Sequence, residues 1–327
     1  MPRTVQRLRA LHYYRCSLSA AVRTRRSRNG GPNRRHTRQR LTVRRRRRQR
    51  YDDGECHLWD MTDTQSTNDL RAAFESGGVA LGVLENAYSP TLVELYGELG
   101  ADFVWIDLEH GGPSPDHAPA IEELLRAAER TGTELLVRVP DTAPATVRKA
   151  LDTGVRNVFL PRVREAETVR AAVEAARFRY EGGPGERGLA APRARRWGLA
   201  DDYLATEDRE TLVGTTIETA AAVENVEEIL SVPELGFVFV GPFDLSVSLG
   251  HPGEIDHPEV QEAVERVRSA AVEADVPLGG LGFGMDDVNG KAETGYQLLH
   301  LGSTAGVLSE TVRSWLDAFE GDRAGQT

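Results

Sequence analysis

Cysteine is confined to the first 60 residues of this 327-residue chain, as Cys16 and Cys56. Residues 61–327 can therefore form no disulfide, thiolate nucleophile or Cys-ligated zinc site. Lysine is nearly as scarce, with Lys149 and Lys291 the only two in the sequence. Both fall in helical patterns rather than at the end of a strand, which leaves a Schiff-base route without its amine. Arginine cannot stand in, because it does not deprotonate in proteins. No apolar run approaches the ~20 residues of a membrane-spanning helix, and no signal-peptide-like apolar stretch is present. A soluble, cytoplasmic protein is the expectation.

The net charge of −10 conceals two unlike segments. Residues 1–60 hold 18 arginines against four acids, a net +14, which leaves −24 on residues 61–327. The basic segment has no apolar period and carries the run Arg44 to Arg48, so it is expected to be disordered. Three readings of it stand open: a tether for phosphate backbones, an Arg-rich transit peptide, or upstream sequence that is not translated natively, with the protein starting at Met61. Mass spectrometry of the native N-terminus distinguishes them. A body with two lysines and 46 acids stays hydrated where salt screens its self-repulsion, the signature of a salt-adapted, halophilic cytosol.

Short apolar runs alternate with amphipathic stretches throughout residues 61–327. Strands are expected near Val79–Leu84, Phe103–Asp107, Glu134–Val139, Asn157–Leu160, Gly214–Ile217, Phe237–Val240, Pro277–Leu281 and Gln297–Leu301. Helices are expected near Pro90–Leu99, His117–Thr131, Pro144–Thr153, Glu165–Phe178, Ala220–Ser231, Pro258–Ala274, Asp286–Thr294 and Ser303–Phe319. Glycines 100, 132, 154 and 295 punctuate helix ends. Eight strand–helix units without a GxGxxG after the first strand favour a (β/α)8 TIM barrel over a doubly wound open sheet. The longest interruption, residues 179–205, combines Gly182, Gly183, Gly185 and Gly188 with Arg193, Arg195, Arg196 and Trp197. Such a loop either receives an anionic ligand or is a solvated surface segment.

Polar groups collect where the apolar runs stop. FVWIDLEH delivers Asp107, Glu109 and His110, VRVP delivers Arg138, TTIET delivers Glu218 and GPFDLS delivers Asp244. In a barrel these strand ends converge on one rim, the usual place for catalytic groups. Glu218 and Asp244, at successive strand ends with no adjacent His or Cys, suit an oxygen-ligated Mg²⁺ or Mn²⁺; each acid taken singly is equally a helix-cap residue. His110, of the one residue type whose ordinary pKa lies near neutrality, reads as a general acid or base oriented by Asp107. Arg138, inside a strand, needs an anion, either a ligand or a structural carboxylate.

Four stretches in order, IDLEH at 106–110, VRVP at 137–140, ALDTGVRNVFLPRV at 150–163 and the pair IETAAAVENVEEI with FVGPFDLSVSLGHPGEIDHPEV, make residues 82–306 resemble the HpcH/HpaI aldolase family. That is a family of class II pyruvate aldolases within the phosphoenolpyruvate/pyruvate barrel superfamily. The resemblance implies a divalent cation (Mg²⁺, Mn²⁺ or Co²⁺) on Glu218 and Asp244, Arg138 at the keto oxygen, and His110 with Asp107 as the proton-transfer pair. It extends the substrate surface to Thr216, Gly241, Pro242 and Phe243. The implied reaction is reversible cleavage of a 4-hydroxy-2-oxo acid to pyruvate and an aldehyde through a metal-stabilised enolate. A sugar-acid aldolase of the 2-dehydro-3-deoxyglucarate type or a CoA-thioester lyase would use the same apparatus. The family's assemblies imply a homo-oligomer, a hexamer by analogy. Departures are Thr216 where the family often has Gln, Phe243 where a small residue is common, Leu84 in place of an aromatic and Thr304 in place of Asp. A reading from a different class, a nucleic-acid-binding protein working through residues 1–60, is opposed by the body's negative charge.

Overall fold

The computed structural model describes residues 67–321. The Arg-rich segment expected to be disordered, and the start expected at Met61, lie outside the described residues. Strands β1 (Ala80–Leu84), β2 (Phe103–Asp107), β3 (Glu134–Arg138) and β4 (Asn157–Leu160) are followed by an outlying hairpin of β5 (Arg179–Tyr180) and β6 (Gly183–Pro184). Then come β7 (Leu212–Ile217), β8 (Phe237–Val240), β9 (Leu278–Leu281) and β10 (Tyr296–Ser303). All strands but the hairpin pair in parallel, and β1 bonds to both β2 and β10, so the sheet closes on itself as a (β/α)8 barrel. Each barrel strand lies within two residues of the range expected from the sequence.

Strands buried on both faces read as continuous apolar runs, and β2 is buried at every position. Alternate residues point opposite ways. Phe103, Trp105, Leu136, Phe159, Phe237, Phe239 and Leu298 fill the barrel interior, while Val104, Ile106, Val137, Val158 and Val240 meet the surrounding helices. The interior rings occupy space that glycine leaves on a neighbouring strand: a Cβ at Gly82, Gly214 or Gly279 would come within 2.6 Å of Phe103, Phe237 or Phe239. At Gly100 (φ 94°) and Gly132 (φ 69°) the helices Pro90–Leu99 and Ala118–Thr131 end in left-handed backbone, as the sequence indicates.

Two helices absent from the sequence reading sit at the two ends of the barrel. The helix Asp69–Glu75, capped by Asn68, inserts Leu70 and Phe74 into the interior cluster and closes the N-terminal mouth. At seven residues it is too short to leave a periodic signal. The helix Pro242–Ser248 follows β8 directly, with Pro242 in its first turn, and carries Asp244. Elsewhere, the single helix expected over Ala220–Ser231 is two, Ala220–Glu224 and Val226–Leu230. Asn225 breaks it, donating its side-chain amide to the Arg164 carbonyl at 2.8 Å. The long interruption contains the helix Tyr203–Glu210 and a 3-10 turn, Arg193–Gly198. The last helix, Thr304–Asp317, buries only Thr304 and leaves Val307, Leu308, Trp315 and Leu316 exposed. Among the described residues no helix is long and apolar enough to cross a membrane.

Candidate active site

The register of β2 against β3 sets Asp107 directly beside Arg138. Arg138 Nε and Nη2 donate to the two Asp107 carboxylate oxygens at 2.8 and 2.6 Å, both side chains being buried. The guanidinium also lies over the Trp105 ring, 5.2 Å from its centroid. Burial alone would raise the Asp107 pKa, but the hydrogen bonds and charge of Arg138 outweigh it and hold the carboxyl below its ordinary range. On Arg138 burial pulls the other way, and Asp107 and Glu109 keep the cation more firmly protonated than a free arginine. The chain then turns: the Glu109 N–H donates to Asp107 Oδ1 at 3.0 Å. This aims Glu109 back at Arg138, with Oε2 3.0 Å from Nη1. Burial raises the Glu109 pKa in spite of Arg138 and His110 beside it.

A second pair of carboxylates sits across the rim. Glu218 follows β7 and is buried; Asp244 lies in the first turn of Pro242–Ser248 and is partly open. Arg162, just after β4, touches both. Its N–H donates to Glu218 Oε1 at 2.6 Å and its Nη1 to Asp244 Oδ1 at 3.2 Å. The Arg162 backbone is left-handed, φ 49°, which few non-glycine residues adopt. Burial, opposed by the Arg162 N–H and aided by Glu109 and Asp244, pushes the Glu218 pKa up to about 7. Glu109 and Asp244 thus reach Glu218 electrostatically, and Asp244 and Asp107 reach Glu109, so the four acids share one rim.

The donor set suits a divalent cation. Gly241, next to Glu218 on the adjacent strand end, keeps a space that a side chain would fill: a Cβ there would lie 2.7 Å from Glu218 Oε2. A desolvated carboxylate with raised pKa beside an open cradle and a second carboxylate is the arrangement a hard cation stabilises. Another group, His251, His257 and Glu259, brings its ligand atoms within 4.8 Å of one another. Its two rings stack 3.4 Å apart at 18°, so their lone pairs lie in nearly parallel planes and cannot meet one ion as placed.

A family model of HpcH/HpaI aldolase/citrate lyase matches residues 81–311. The chain belongs to this family. It is therefore a carbon–carbon lyase of the aldolase type. Among HpcH/HpaI relatives, the chain is 31% identical to a 5-keto-4-deoxy-D-glucarate aldolase of Klebsiella pneumoniae, over 77% of this chain and 97% of that one. It is 33% identical to a hydroxypyruvate/pyruvate aldolase of Paraburkholderia phytofirmans, over 72% and 91%. A solved HpcH/HpaI aldolase/citrate lyase family protein from Burkholderia cenocepacia superposes with a TM-score of 0.72 at 32% identity, over 77% of this chain and 98% of that one.

Within the HpcH/HpaI frame, the structure brings Asp107, Arg138, Glu218 and Asp244 to one end of the barrel, with His110 beside them. The expected orienting contact from Asp107 to His110 is not made. Asp107 is held by Arg138, and the carboxylate that His110 Nε2 approaches is that of Glu109, at 3.6 Å. Thr216 does not face the cation cradle with its hydroxyl, which donates to the Leu160 carbonyl at 3.1 Å. Pro242 is buried, whereas Phe243 is exposed at the rim and meets Phe283 edge-on, centroids 6.1 Å apart. The loop arginine Arg193 is bound to Glu129 and the Thr153 carbonyl. Sequence reasoning passed over Arg162, and also His300, which lies under the site against the Trp105 ring. Burial, opposed by a contact with the Gly302 backbone, drives the His300 pKa down to about 4, so the ring is neutral. Its only sequence signal is a lone histidine in an apolar strand.

Proposed function

We propose that the protein cleaves a 4-hydroxy-2-oxo acid reversibly to pyruvate and an aldehyde at the rim formed by Asp107, Arg138, Glu218, Asp244 and His110. The observation that carries this reading is the Asp107–Arg138 bidentate pair facing the Glu218–Asp244 carboxylates across one barrel mouth. Asp107 fixes the guanidinium plane, and Arg138 keeps N–H groups beyond the two given to Asp107 for a keto oxygen. The His110 imidazole accepts the proton of the substrate's 4-hydroxyl, the C3–C4 bond breaks to release the aldehyde, and the electron pair remains as the enolate of pyruvate. Arg138 faces that negative charge without having to reorganise. Return of a proton to C3 completes pyruvate. A divalent cation on Glu218 and Asp244, Mg²⁺ or Mn²⁺ with Co²⁺ as a further candidate, would supply Lewis-acid stabilisation of the charge on the keto oxygen. The buried rings of Phe159, Phe239 and Trp105 floor the site and limit water.

The sugar-acid aldolase among the relatives supports a polar, hydroxylated aldehyde partner. The exposed apolar face of Thr304–Asp317 supports a homo-oligomer, of six subunits by the family resemblance, and the lack of a spanning helix among the described residues is compatible with a cytoplasmic location. The test is proton exchange at C3 of pyruvate in D₂O, with and without Mg²⁺ or Mn²⁺, followed by aldol formation with a panel of aldehydes. Metal-dependent exchange is expected. Exchange should be lost with the metal site in Glu218→Ala, and His110→Ala should lose ~100-fold or more in turnover while still binding metal. No exchange under any metal would refute the aldolase reading of this site.

A further inference from the structure

A cavity of about 810 Å³ opens at the N-terminal end of the barrel, the end opposite the candidate active site. Its walls include the helix Asp69–Glu75 and the starts of β7, β8, β9 and β10, where Leu212, Gly236, Pro277 and Tyr296 lie. We propose that this cavity binds a small monocarboxylate with an apolar tail, its carboxylate held between Arg71 and Arg177. Both arginines line the cavity. The Arg177 side chain is only 1% exposed. Its Nε donates to Glu234 Oε2 at 2.5 Å and its Nη2 to the Thr211 carbonyl at 3.1 Å, while its buried Nη1 has no partner. Arg71 Nη2 donates to the same carbonyl at 3.0 Å, and the buried Arg71 Nε also has no partner. Two guanidinium groups therefore stand side by side on one wall, each with a buried donor unspent. Burial and the Arg177 charge hold the Arg71 pKa below the usual arginine value. An anion seated between the two would satisfy both donors and offset their repulsion.

The other charges on the lining select the class of anion. Arg209 donates to Glu210, and Asp208 accepts the Phe178 and Arg179 N–H groups, so both are already engaged. Glu75, Glu234 and Asp275 remain beside the two arginines. Glu75 is largely exposed and 3.8 Å from Arg71 Nη1. Three carboxylates near two guanidinium groups oppose phosphate, which brings more than one charge near neutrality, and admit a ligand that brings a single one. Much of the remaining lining is apolar, with Phe74, Val79, Leu235, Val272 and Val276. Val79 and Val272 are exposed there, and a hydrocarbon tail would cover them. The volume is that of a small-molecule site rather than of a bare ion. Arg187, buried in the same region, differs: Glu207 and two aromatic rings enclose it, and it does not line the cavity.

The experiment is calorimetric titration of the full chain, in buffer containing Mg²⁺, with hexanoate and separately with inorganic phosphate. Hexanoate should bind with a Kd of about 1 mM or below, and phosphate more weakly. Arg71→Gln, at a partly exposed position, should weaken hexanoate binding ~10-fold or more, the effect of losing one charged hydrogen bond. The same variant should leave pyruvate proton exchange unchanged. Arg177→Met should abolish hexanoate binding; if it fails to fold, Arg71→Gln carries the test. Arg138→Ala, at the other end of the barrel, should leave hexanoate affinity in place, which separates this cavity from the aldolase site. Absence of saturable hexanoate binding, binding indifferent to Arg71→Gln, or binding lost in Arg138→Ala would overturn the proposal. Phosphate binding as tight as hexanoate would overturn the monocarboxylate class.

Discussion

Glu218 binds its proton up to a pH of about 7 because burial and the neighbouring Glu109 and Asp244 penalise its charge. A cation must displace that proton. Apparent Mn²⁺ affinity, measured by calorimetry, should therefore climb close to tenfold per pH unit below about 7 and level off above it. Because the folded pKa exceeds the unfolded one, the contribution of Glu218 to metal-free stability is present in acid and lost as pH rises through about 7. Glu218→Gln should accordingly raise the metal-free melting temperature at pH 8 but not at pH 5. His300 has the opposite sense. Its folded pKa of about 4 lies below the unfolded value, so the unfolded chain takes up the proton first and stability falls as pH drops from about 6.5 toward 4. His300→Phe, which keeps a ring against Trp105, should flatten that acid limb by on the order of 2 kcal/mol near pH 4.5 in urea melts.

In the long interruption between β4 and β7, arginine acts as an anchor. Arg187 is buried between the rings of Phe178 and Tyr203, 5.0 and 5.6 Å from their centroids, and lies 3.3 Å from Glu207. Arg156 holds the other Glu207 oxygen at 2.8 Å. Arg193 ties the 3-10 turn to the helix Ala118–Thr131 through Glu129. The composition of this segment pointed equally to an anion receptor and to a solvated loop. The tertiary contacts make these two arginines fasteners of the segment to the barrel wall. Removing Arg187 leaves Glu207 half-compensated in a buried place, so Arg187→Ala should destabilise the fold by ~3 kcal/mol. Limited proteolysis should then cut within residues 185–202 faster than in the unsubstituted protein.

Across the whole molecule, residues 61–327 carry −24, and most of that charge is solvated. Self-repulsion of this size weakens as the Debye length falls. We propose a salt-adapted protein, whose melting temperature should rise as KCl is increased from low to molar concentration; a melting temperature independent of KCl would refute this. At the same scale, Trp315 and Leu316 present an apolar surface on the last helix. If that face holds subunits together, Trp315→Glu should shift the mass measured by light scattering toward the monomer without unfolding the barrel.

The sequence by itself determined the barrel, because strands buried on both faces must be apolar throughout and each must be followed by an amphipathic helix. It also located Asp107, Arg138, Glu218 and Asp244, since a charge that ends an apolar run has to leave the core at the strand's end. What only the tertiary structure decided is who partners whom. Asp107 and Arg138 stand 31 residues apart and meet through the β2–β3 register. Arg162 reaches Glu218 and Asp244 only through a left-handed turn that its residue type does not announce. Pairings of this kind depend on barrel closure and on the aim of individual side chains, and neither quantity is written in the local pattern of any one segment.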